Sequence, residues 1–154
     1  MKKIKHLTDY CLGCGICSIY CSAAHADPEL DLVKAFKVLI PPPPGVIVEK
    51  GEDYALAVSC QHCPEPPCTM SCITGALTRD PATGVVSIDP DRCVGCWTCV
   101  AACPYGIITI DENRPARPRA NKCDLCAGVS EVPICVLKCP NEARILVEEE
   151  ANEG

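Results

Sequence analysis

The sequence predicts an α+β fold made of two small modules, one nested inside the other. Three observations support this prediction: cysteine is unusually abundant, the cysteines form repeated sets, and short alternating segments follow those sets. Sixteen of the 154 residues are cysteine, and fifteen prolines and ten glycines favour loops and short elements. One Trp, one Phe, two Met and four Tyr supply only a thin core. Bound metal is therefore expected to hold the chain together.

The cysteines fall into four sets of four with none left over. They are set one (Cys11, Cys14, Cys17, Cys21), set two (Cys60, Cys63, Cys68, Cys72), set three (Cys93, Cys96, Cys99, Cys103) and set four (Cys123, Cys126, Cys135, Cys139). Sets one and three have the spacing Cys-x2-Cys-x2-Cys-x3-Cys, the run found in bacterial ferredoxins. Three closely spaced thiolates can surround one iron–sulfur cube, while the fourth opens a helix and reaches a neighbouring cube. The sets therefore predict four [4Fe–4S] clusters as cofactors.

Structural zinc and disulfides are the rival interpretations. Zinc usually joins two separated Cys-x2-Cys pairs, whereas sets one and three place a third cysteine only two residues further on. Disulfides between cysteines this close would be strained. Iron–sulfur clusters are thus favoured over both.

The chain divides into three predicted parts. Residues 1–29 and 112–154 form an outer ferredoxin-like module with sets one and four, residues 59–111 form an inner one with sets two and three, and residues 30–58 form an insertion. In the inner module we predict a short strand entry at 73–77, a turn at 80–84, and strands at 85–89 and 106–110.

The insertion combines an apolar run, Leu32 to Ile40, with four prolines at 41–44 and a second apolar run at 45–48. We predict two strands with a proline-rich tip, serving either as a surface loop or as a docking hairpin, with the surface loop favoured. Residues 112–122 concentrate Arg114, Arg117, Arg119 and Lys122. They could form a linker that neutralises nearby clusters or a contact for an acidic partner.

The inner module leaves sets one and four to pair across the ends of the chain, and the strand pattern at 144–147 supports that pairing. The predicted ligands are Cys11, Cys14, Cys17 and Cys139 for cluster 1; Cys123, Cys126, Cys135 and Cys21 for cluster 2; Cys60, Cys63, Cys68 and Cys103 for cluster 3; and Cys93, Cys96, Cys99 and Cys72 for cluster 4. The alternative pairs set one with set two and set three with set four. Spacing alone leaves it open.

Three histidines and one tryptophan were considered as further functional residues. His25 and His62 lie beside cluster loops and could tune a potential through a sulfur, although a structural role is favoured. His6 is expected to be exposed. Trp97 either shields a cluster from water or simply packs.

The net charge is −6, and four clusters of roughly −2 each would bring the loaded chain to about −14. That charge excludes nucleic-acid binding and predicts basic surfaces on redox partners. Residues 1–10 lack an apolar signal, and no run reaches the ~18–20 apolar residues of a membrane span. We expect a cytoplasmic chain without direct membrane insertion, although export bound to a partner would be invisible here.

Three segments resemble a known family: CQHCPEPPC at 60–68, CVGCWTC at 93–99 continuing to CPYG at 103–106, and KCDLC at 122–126. They resemble the four-cluster iron–sulfur subunits of the dimethyl sulfoxide reductase and hydrogenase-linked type. The resemblance implies that the outer sets pair with each other, that the middle sets do likewise, and that the clusters form a roughly linear chain. Some members replace a ligand by Trp and hold a [3Fe–4S] cluster; Trp97 displaces no ligand, so four full cubes are expected.

The segment CSAAH at 21–25 and the short length resemble most the electron-transfer subunit of carbon monoxide dehydrogenase, followed by the small subunit of tungsten aldehyde oxidoreductases. The predicted function is electron transfer, without catalysis, from a catalytic oxidoreductase subunit to a flavoprotein or hydrogenase. Alternatives are a subunit of a tungsten or molybdenum aldehyde or formate oxidoreductase, a small reductase with one labile cluster, and a zinc-stapled interaction module. No nucleophile motif, phosphate loop or dinucleotide fingerprint occurs in the sequence.

Overall fold

The computed structural model describes residues 2–27, 31–38, 40–113 and 117–148. Its elements in chain order are β1 (Lys2–His6), a 3-10 helix (Thr8–Tyr10), α1 (Ile16–Ala26), α2 (Leu32–Val38), β2 (Val46–Lys50), β3 (Ala55–Ser59), α3 (Pro67–Met70), β4 (Leu77–Arg79), β5 (Val86–Ile88), α4 (Thr98–Ala102), β6 (Thr109–Asp111), β7 (Arg119–Asn121), α5 (Ile134–Leu137) and β8 (Arg144–Glu148). Short helices and small sheets alternate, which confirms the α+β class.

The strands pair into small antiparallel sheets of two. β1 pairs with β8, with Ile4 opposite Leu146 and His6 opposite Arg144, so the two ends of the described chain lie in one sheet. The other sheets are hairpin-like pairs along the chain: β2 with β3, β4 with β5, and β6 with β7. The strand predicted at 144–147 is thus present as β8.

Two helices begin at residues whose backbone properties favour a helix start. α1 follows Gly15, whose φ of 74° lies in the left-handed region that glycine adopts easily. α3 begins at Pro67, a position where the missing N–H would have no partner within the helix. α1 packs against α5, and α3 packs against α4.

The insertion differs from the prediction. Its two strands are β2 and β3, but their tip is Gly51–Tyr54 and not the prolines. The preceding apolar run forms α2, where an Asp31 carboxylate oxygen accepts a hydrogen bond from the Lys34 N–H at 3.0 Å. The prolines at 41–44 follow this helix because they cannot donate to a helix or a ladder. Leu39, also in the predicted run, lies outside the described residues.

Two further boundaries differ from the prediction. The strands predicted from residues 73 and 106 begin only at Leu77 and Thr109, after Gly75 and Gly106, which both have positive φ and end the preceding turns. Residues 119–121 of the predicted basic linker form β7 and pair with β6. Arg114 of that linker lies outside the described residues.

Buried side chains gather in two cores. The first contains Ile4, Val46, Ala57 and Leu125 together with five cysteines, Cys17, Cys21, Cys60, Cys123 and Cys135. The second contains Leu77, Val86 and Ile108 with Cys68 and Cys99. Because cysteine supplies so much of both cores, the arrangement of the thiols and the packing of the chain cannot be separated.

Candidate metal centres

The sixteen cysteines surround four cavities of similar size, which we number 1 to 4. Counted together with the solvent-open space at their mouths, their volumes are about 350, 360, 330 and 330 Å³ respectively. Cavity 1 is lined by Cys11, Cys14, Cys17 and Cys139; cavity 2 by Cys21, Cys123, Cys126 and Cys135; cavity 3 by Cys60, Cys63, Cys68 and Cys103; and cavity 4 by Cys72, Cys93, Cys96 and Cys99. The structure thus brings together cysteines from sets one and four and from sets two and three. That each group binds a cluster stays a prediction.

The last two cysteines of each set reach two different cavities. On α1, Cys17 lines cavity 1, and Cys21, four residues later, lines cavity 2. Four residues is slightly more than one helical turn, which separates the two thiols along the helix. At α5 the order is reversed, since Cys135 on the helix lines cavity 2 and Cys139, just after the helix ends, lines cavity 1. Cavities 3 and 4 are related in the same way by a cysteine on α3 or α4 and the cysteine that follows that helix.

The residue before the second cysteine of every set is left-handed. These residues are Gly13 (φ 63°), His62 (φ 47°), Gly95 (φ 69°) and Leu125 (φ 60°). Glycine adopts this region freely, whereas His62 and Leu125 are strained there. In return, the N–H groups of His62 and Leu125 each lie 3.4 Å from the Sγ of the first cysteine of their set, Cys60 and Cys123.

Other donors also point at sulfur. The Gly45 N–H donates to Cys21 Sγ at 3.3 Å, and the Ala143 N–H donates to Cys139 Sγ at 3.2 Å. In cavity 4 the Thr98 hydroxyl lies 2.9 Å from Cys96 Sγ. Such donors stabilise a thiolate and tune the potential of a cluster bound to it. The donor set therefore fits an anionic iron–sulfur cluster.

Burial raises the pKa of most of the cysteines whose pKa departs from its ordinary value. It raises the pKa of Cys99 and of Cys126 to about 11, so both are neutral thiols in the metal-free chain at neutral pH. Cys96 differs, since its hydrogen bond with Thr98 lowers its pKa. Because metal ligands must be thiolates, cluster binding has to displace the protons from the buried cysteines.

The cysteines of the four cavities differ in their exposure to solvent. All four cysteines of cavity 2 are buried, and those of cavity 3 are buried or half-buried. Among the sixteen, Cys14 of cavity 1 and Cys96 of cavity 4 are exposed to solvent. Cavities 1 and 4 therefore each present one thiol at the surface.

His25 and His62 both contact the walls of the cavities. His25 Nε2 lies 3.1 Å from Asp124 Oδ1, and its Nδ1 lies 2.9 Å from the Cys21 carbonyl and 3.9 Å from Cys21 Sγ. The Asp124 hydrogen bond raises the pKa of His25 to about 11, so the ring is a cation that donates from both nitrogens. His62 is buried, its Nδ1 accepts the Val86 N–H at 2.9 Å, and burial lowers its pKa to about 3.

The prediction that His6 is exposed was wrong. His6 is half-buried because β1 packs beside β3, and its Nε2 accepts the Ala57 N–H at 3.3 Å. Burial lowers its pKa accordingly. Trp97 is half-buried and lines cavity 4, a position compatible with either predicted role.

Sequence reasoning missed two buried cations. Arg144 donates to the Ala57 carbonyl at 2.6 Å and to Ser59 Oγ at 2.8 Å, and it also lines cavity 1. Lys122 was predicted only as part of a basic stretch, yet it is buried and lines both cavity 2 and cavity 3. The one sequence feature that indicated a place beside the cavities was the position of Lys122 next to Cys123.

No group of three or more His, Cys, Asp or Glu side chains in the described residues is arranged to hold a single metal ion. Within the same part of the chain, no helix combines the length and the apolar character needed to cross a membrane.

Comparison with known proteins places these features in context. The family model for a 4Fe-4S dicluster domain matches residues 52–149. The electron transport protein HydN of Escherichia coli K12 is 33% identical over 150 residues, which cover 90% of this chain and 83% of HydN. The putative oxidoreductase AegA of the same strain is 36% identical over 148 residues, 94% of this chain. The chain spans only 21% of the length of AegA.

One solved structure shows a similar fold. It belongs to the active site complex BamBC of benzoyl coenzyme A reductase with benzoyl-CoA, and it aligns with 96% of this chain and 79% of its own with a TM-score of 0.51. At 24% sequence identity, the likeness concerns the fold alone.

Proposed function

We propose, on the premise that this chain belongs to the family of 4Fe-4S dicluster domain proteins, that it relays electrons through four [4Fe–4S] clusters. The chain is an iron–sulfur electron-transfer protein homologous to HydN. The proposed number of clusters rests on one observation: the structure has four cavities of similar volume, and each is lined by four cysteines.

The family description names two clusters, and this count has to be weighed against four. The matched range, 52–149, includes sets two, three and four, and set one precedes it. Two cubes need eight cysteine ligands, so twelve cysteines inside the match and four outside it leave eight thiols without a role. Four cubes account for all sixteen.

In this proposal the ligands are those that line each cavity. Bound clusters supply one-electron transfer. The polypeptide holds each set of thiolates at a cavity, donates N–H and hydroxyl hydrogen bonds to the sulfurs, and keeps water from cavities 2 and 3 by burial. No open ligand position remains for a substrate, so we propose a carrier without a reaction of its own.

The proposed arrangement is two nested ferredoxin-like modules. The outer one is supported by β1 pairing with β8 and by α1 packing on α5. The inner one is supported by α3 packing on α4. β6 and β7 cross the proposed boundary at residue 112 and join the modules.

The proposed electron path runs through cavities 1, 2, 3 and 4 in that order. Cavities 1 and 2 share sets one and four, cavities 3 and 4 share sets two and three, and Lys122 lies against both cavity 2 and cavity 3. Cys14 and Cys96 are exposed at the two ends of this series. Redox partners would therefore dock at the surfaces around those two residues.

One partner in the proposal is a catalytic oxidoreductase subunit, of the carbon monoxide dehydrogenase or the tungsten aldehyde oxidoreductase type, and the other is a flavoprotein or hydrogenase. The negative charge of the chain favours basic docking surfaces on both. The cytoplasm is the proposed compartment, since sixteen unpaired cysteines suit reducing conditions.

A reductive titration of the anaerobically purified chain tests the relay. Four clusters that each accept one electron predict uptake of about four electrons per chain. The same preparation should convert no substrate by itself. Uptake of about two electrons would reject the four-cluster relay and leave a two-cluster protein.

A further inference from the structure

Lys122 connects the two proposed modules through its ammonium group. Its Nζ donates to the carbonyl of Val86 on β5 and, at 2.6 Å, to the carbonyl of Cys123. Val86 belongs to the inner module and Cys123 is a predicted ligand in the outer one. The side chain is 7% exposed, so solvent screens its charge weakly.

Lys122 lies against both adjacent cavities. It lines cavity 2 beside Cys123 and cavity 3 beside Cys63. The residues that line cavities 1 and 4 do not include Lys122. The charge of Lys122 is therefore nearest to the two inner cavities.

The hydrogen-bond partners of Lys122 do not neutralise its positive charge. The hydrogen-bond acceptors of Lys122 in the described part of the chain are two carbonyl oxygens. The nearby His62 ring accepts the Val86 N–H at its Nδ1, at 2.9 Å. Asp124 is engaged with His25 at 3.1 Å.

We infer that Lys122 is a positioning residue of the relay: its fixed charge raises the reduction potentials of the clusters in cavities 2 and 3 together, relative to those of the clusters in cavities 1 and 4, and so favours the electron on the inner pair of clusters. This inference rests on the proposed four-cluster function. A reduced cluster carries one more negative charge than an oxidised one, so a cation between two clusters stabilises the reduced form of both.

The size of the effect follows from Coulomb's law. A unit charge at roughly 10 Å through an effective dielectric constant of about 20 changes a one-electron equilibrium by on the order of tenfold. A tenfold change corresponds to about 59 mV for a one-electron couple.

The test is an EPR-monitored redox titration of the full chain with Lys122→Met, Lys122→Arg and Lys138→Met. Serine variants of Cys126 and Cys63 assign the signals of cavities 2 and 3. In Lys122→Met, the ratio of reduced to oxidised cluster at a fixed potential should fall about tenfold for these two signals only. Lys122→Arg keeps the charge and should restore both ratios to within about twofold, and Lys138→Met removes an exposed lysine and should shift neither.

The remaining outcomes would each count against the inference or against the proposed function. Unchanged potentials in a Lys122→Met chain that holds about sixteen irons would show that Lys122 is merely structural. Loss of iron from cavities 2 and 3 alone would also overturn the inference, because Lys122 would then be needed for cluster binding and not for setting the potentials. Loss from all four cavities would overturn it. About eight irons in the natural chain would instead refute the proposed function, which separates the two failures.

Discussion

At the scale of single residues, Gly45 joins the insertion to the wall of cavity 2. A Cβ at this position would lie 2.7 Å from Cys123 Cα and 2.8 Å from its backbone nitrogen, distances at which the backbone has to move. The Gly45 N–H also donates to Cys21 Sγ. We therefore predict that Gly45→Ala displaces a wall of cavity 2 and lowers the iron content by about four of about sixteen per chain, measured by iron analysis.

Gly106→Ala is the control. Unlike Gly45, Gly106 has a positive φ, 59°, but its Cβ would meet nothing within 4 Å. This variant should cost only the left-handed strain of alanine, about 1–2 kcal/mol, and retain its iron. Equal iron loss in both variants would show that the close approach to Cys123 has no special importance.

A second prediction concerns Arg144. Its guanidinium satisfies the Ala57 carbonyl and Ser59 Oγ, and both are covered by the fold. Arg144→Met removes these donors and should lower the free energy of unfolding by about 1–3 kcal/mol for each acceptor left unpaired. Chemical unfolding followed by circular dichroism measures the loss, and an unchanged unfolding midpoint would contradict it.

What the sequence predicts at this scale follows from the chemistry of each residue. The spacing of the cysteines predicts that the first three thiols of each set share a site, because covalent geometry keeps them close together. It does not predict which set supplies the fourth thiol, for which the strand patterns and the family resemblance were needed. The left-handed conformation is readable at Gly13 and Gly95 but not at His62 or Leu125, where the surrounding structure imposes it against the preference of the residue. The burial of Lys122 depends on contacts with Val86, far away in the sequence.

At the scale of elements, the β1–β8 sheet holds the outer module together. Ile4 at its centre is 4% exposed and pairs with Leu146. Ile4→Ala should lower the free energy of unfolding by about 2–5 kcal/mol, and it should release iron from cavities 1 and 2 before cavities 3 and 4 as denaturant increases. Cluster absorbance and the EPR signals of the four clusters report the order.

Ile40→Ala serves as the control for this prediction. Ile40 is 76% exposed, so its truncation should change the stability by no more than about 0.5 kcal/mol. If Ile4→Ala released iron evenly from all four cavities, the outer and inner modules would unfold as one unit.

Elements were predictable where their signal is local. The strand β8 follows from the apolar run Ile145, Leu146 and Val147 after a cluster loop. α2 and β7 were missed because α2 depends on a cap at Asp31 and β7 depends on a partner strand, β6. A local residue pattern predicts neither the cap at Asp31 nor the pairing of β7 with β6.

At the scale of the whole molecule, cysteine supplies five of the nine buried residues of the first core and two of the five buried residues of the second. If these thiols bind clusters, removal of iron leaves four empty spaces beside the cores, and the remaining apolar side chains are few. We predict that anaerobic removal of iron by a chelator abolishes most of the far-ultraviolet circular dichroism signal. A metal-free chain that keeps its native spectrum would show that side-chain packing suffices.

The order of iron loss is a further prediction for the whole molecule. Cys14 and Cys96 expose cavities 1 and 4, whereas cavity 2 is lined by buried cysteines alone. Limited oxidation with ferricyanide in the presence of a chelator should therefore release about eight irons in a fast phase and about eight in a slow phase. A single phase would contradict the proposed difference between terminal and inner clusters.

The most direct measurement is an anomalous iron map from crystals of the anaerobically purified chain. The account predicts four separate [4Fe–4S] peaks, one in each cavity, with sets one and four shared between two of them and sets two and three between the others. Two peaks only, zinc in place of iron, or a cube ligated by cysteines of sets one and two would contradict it.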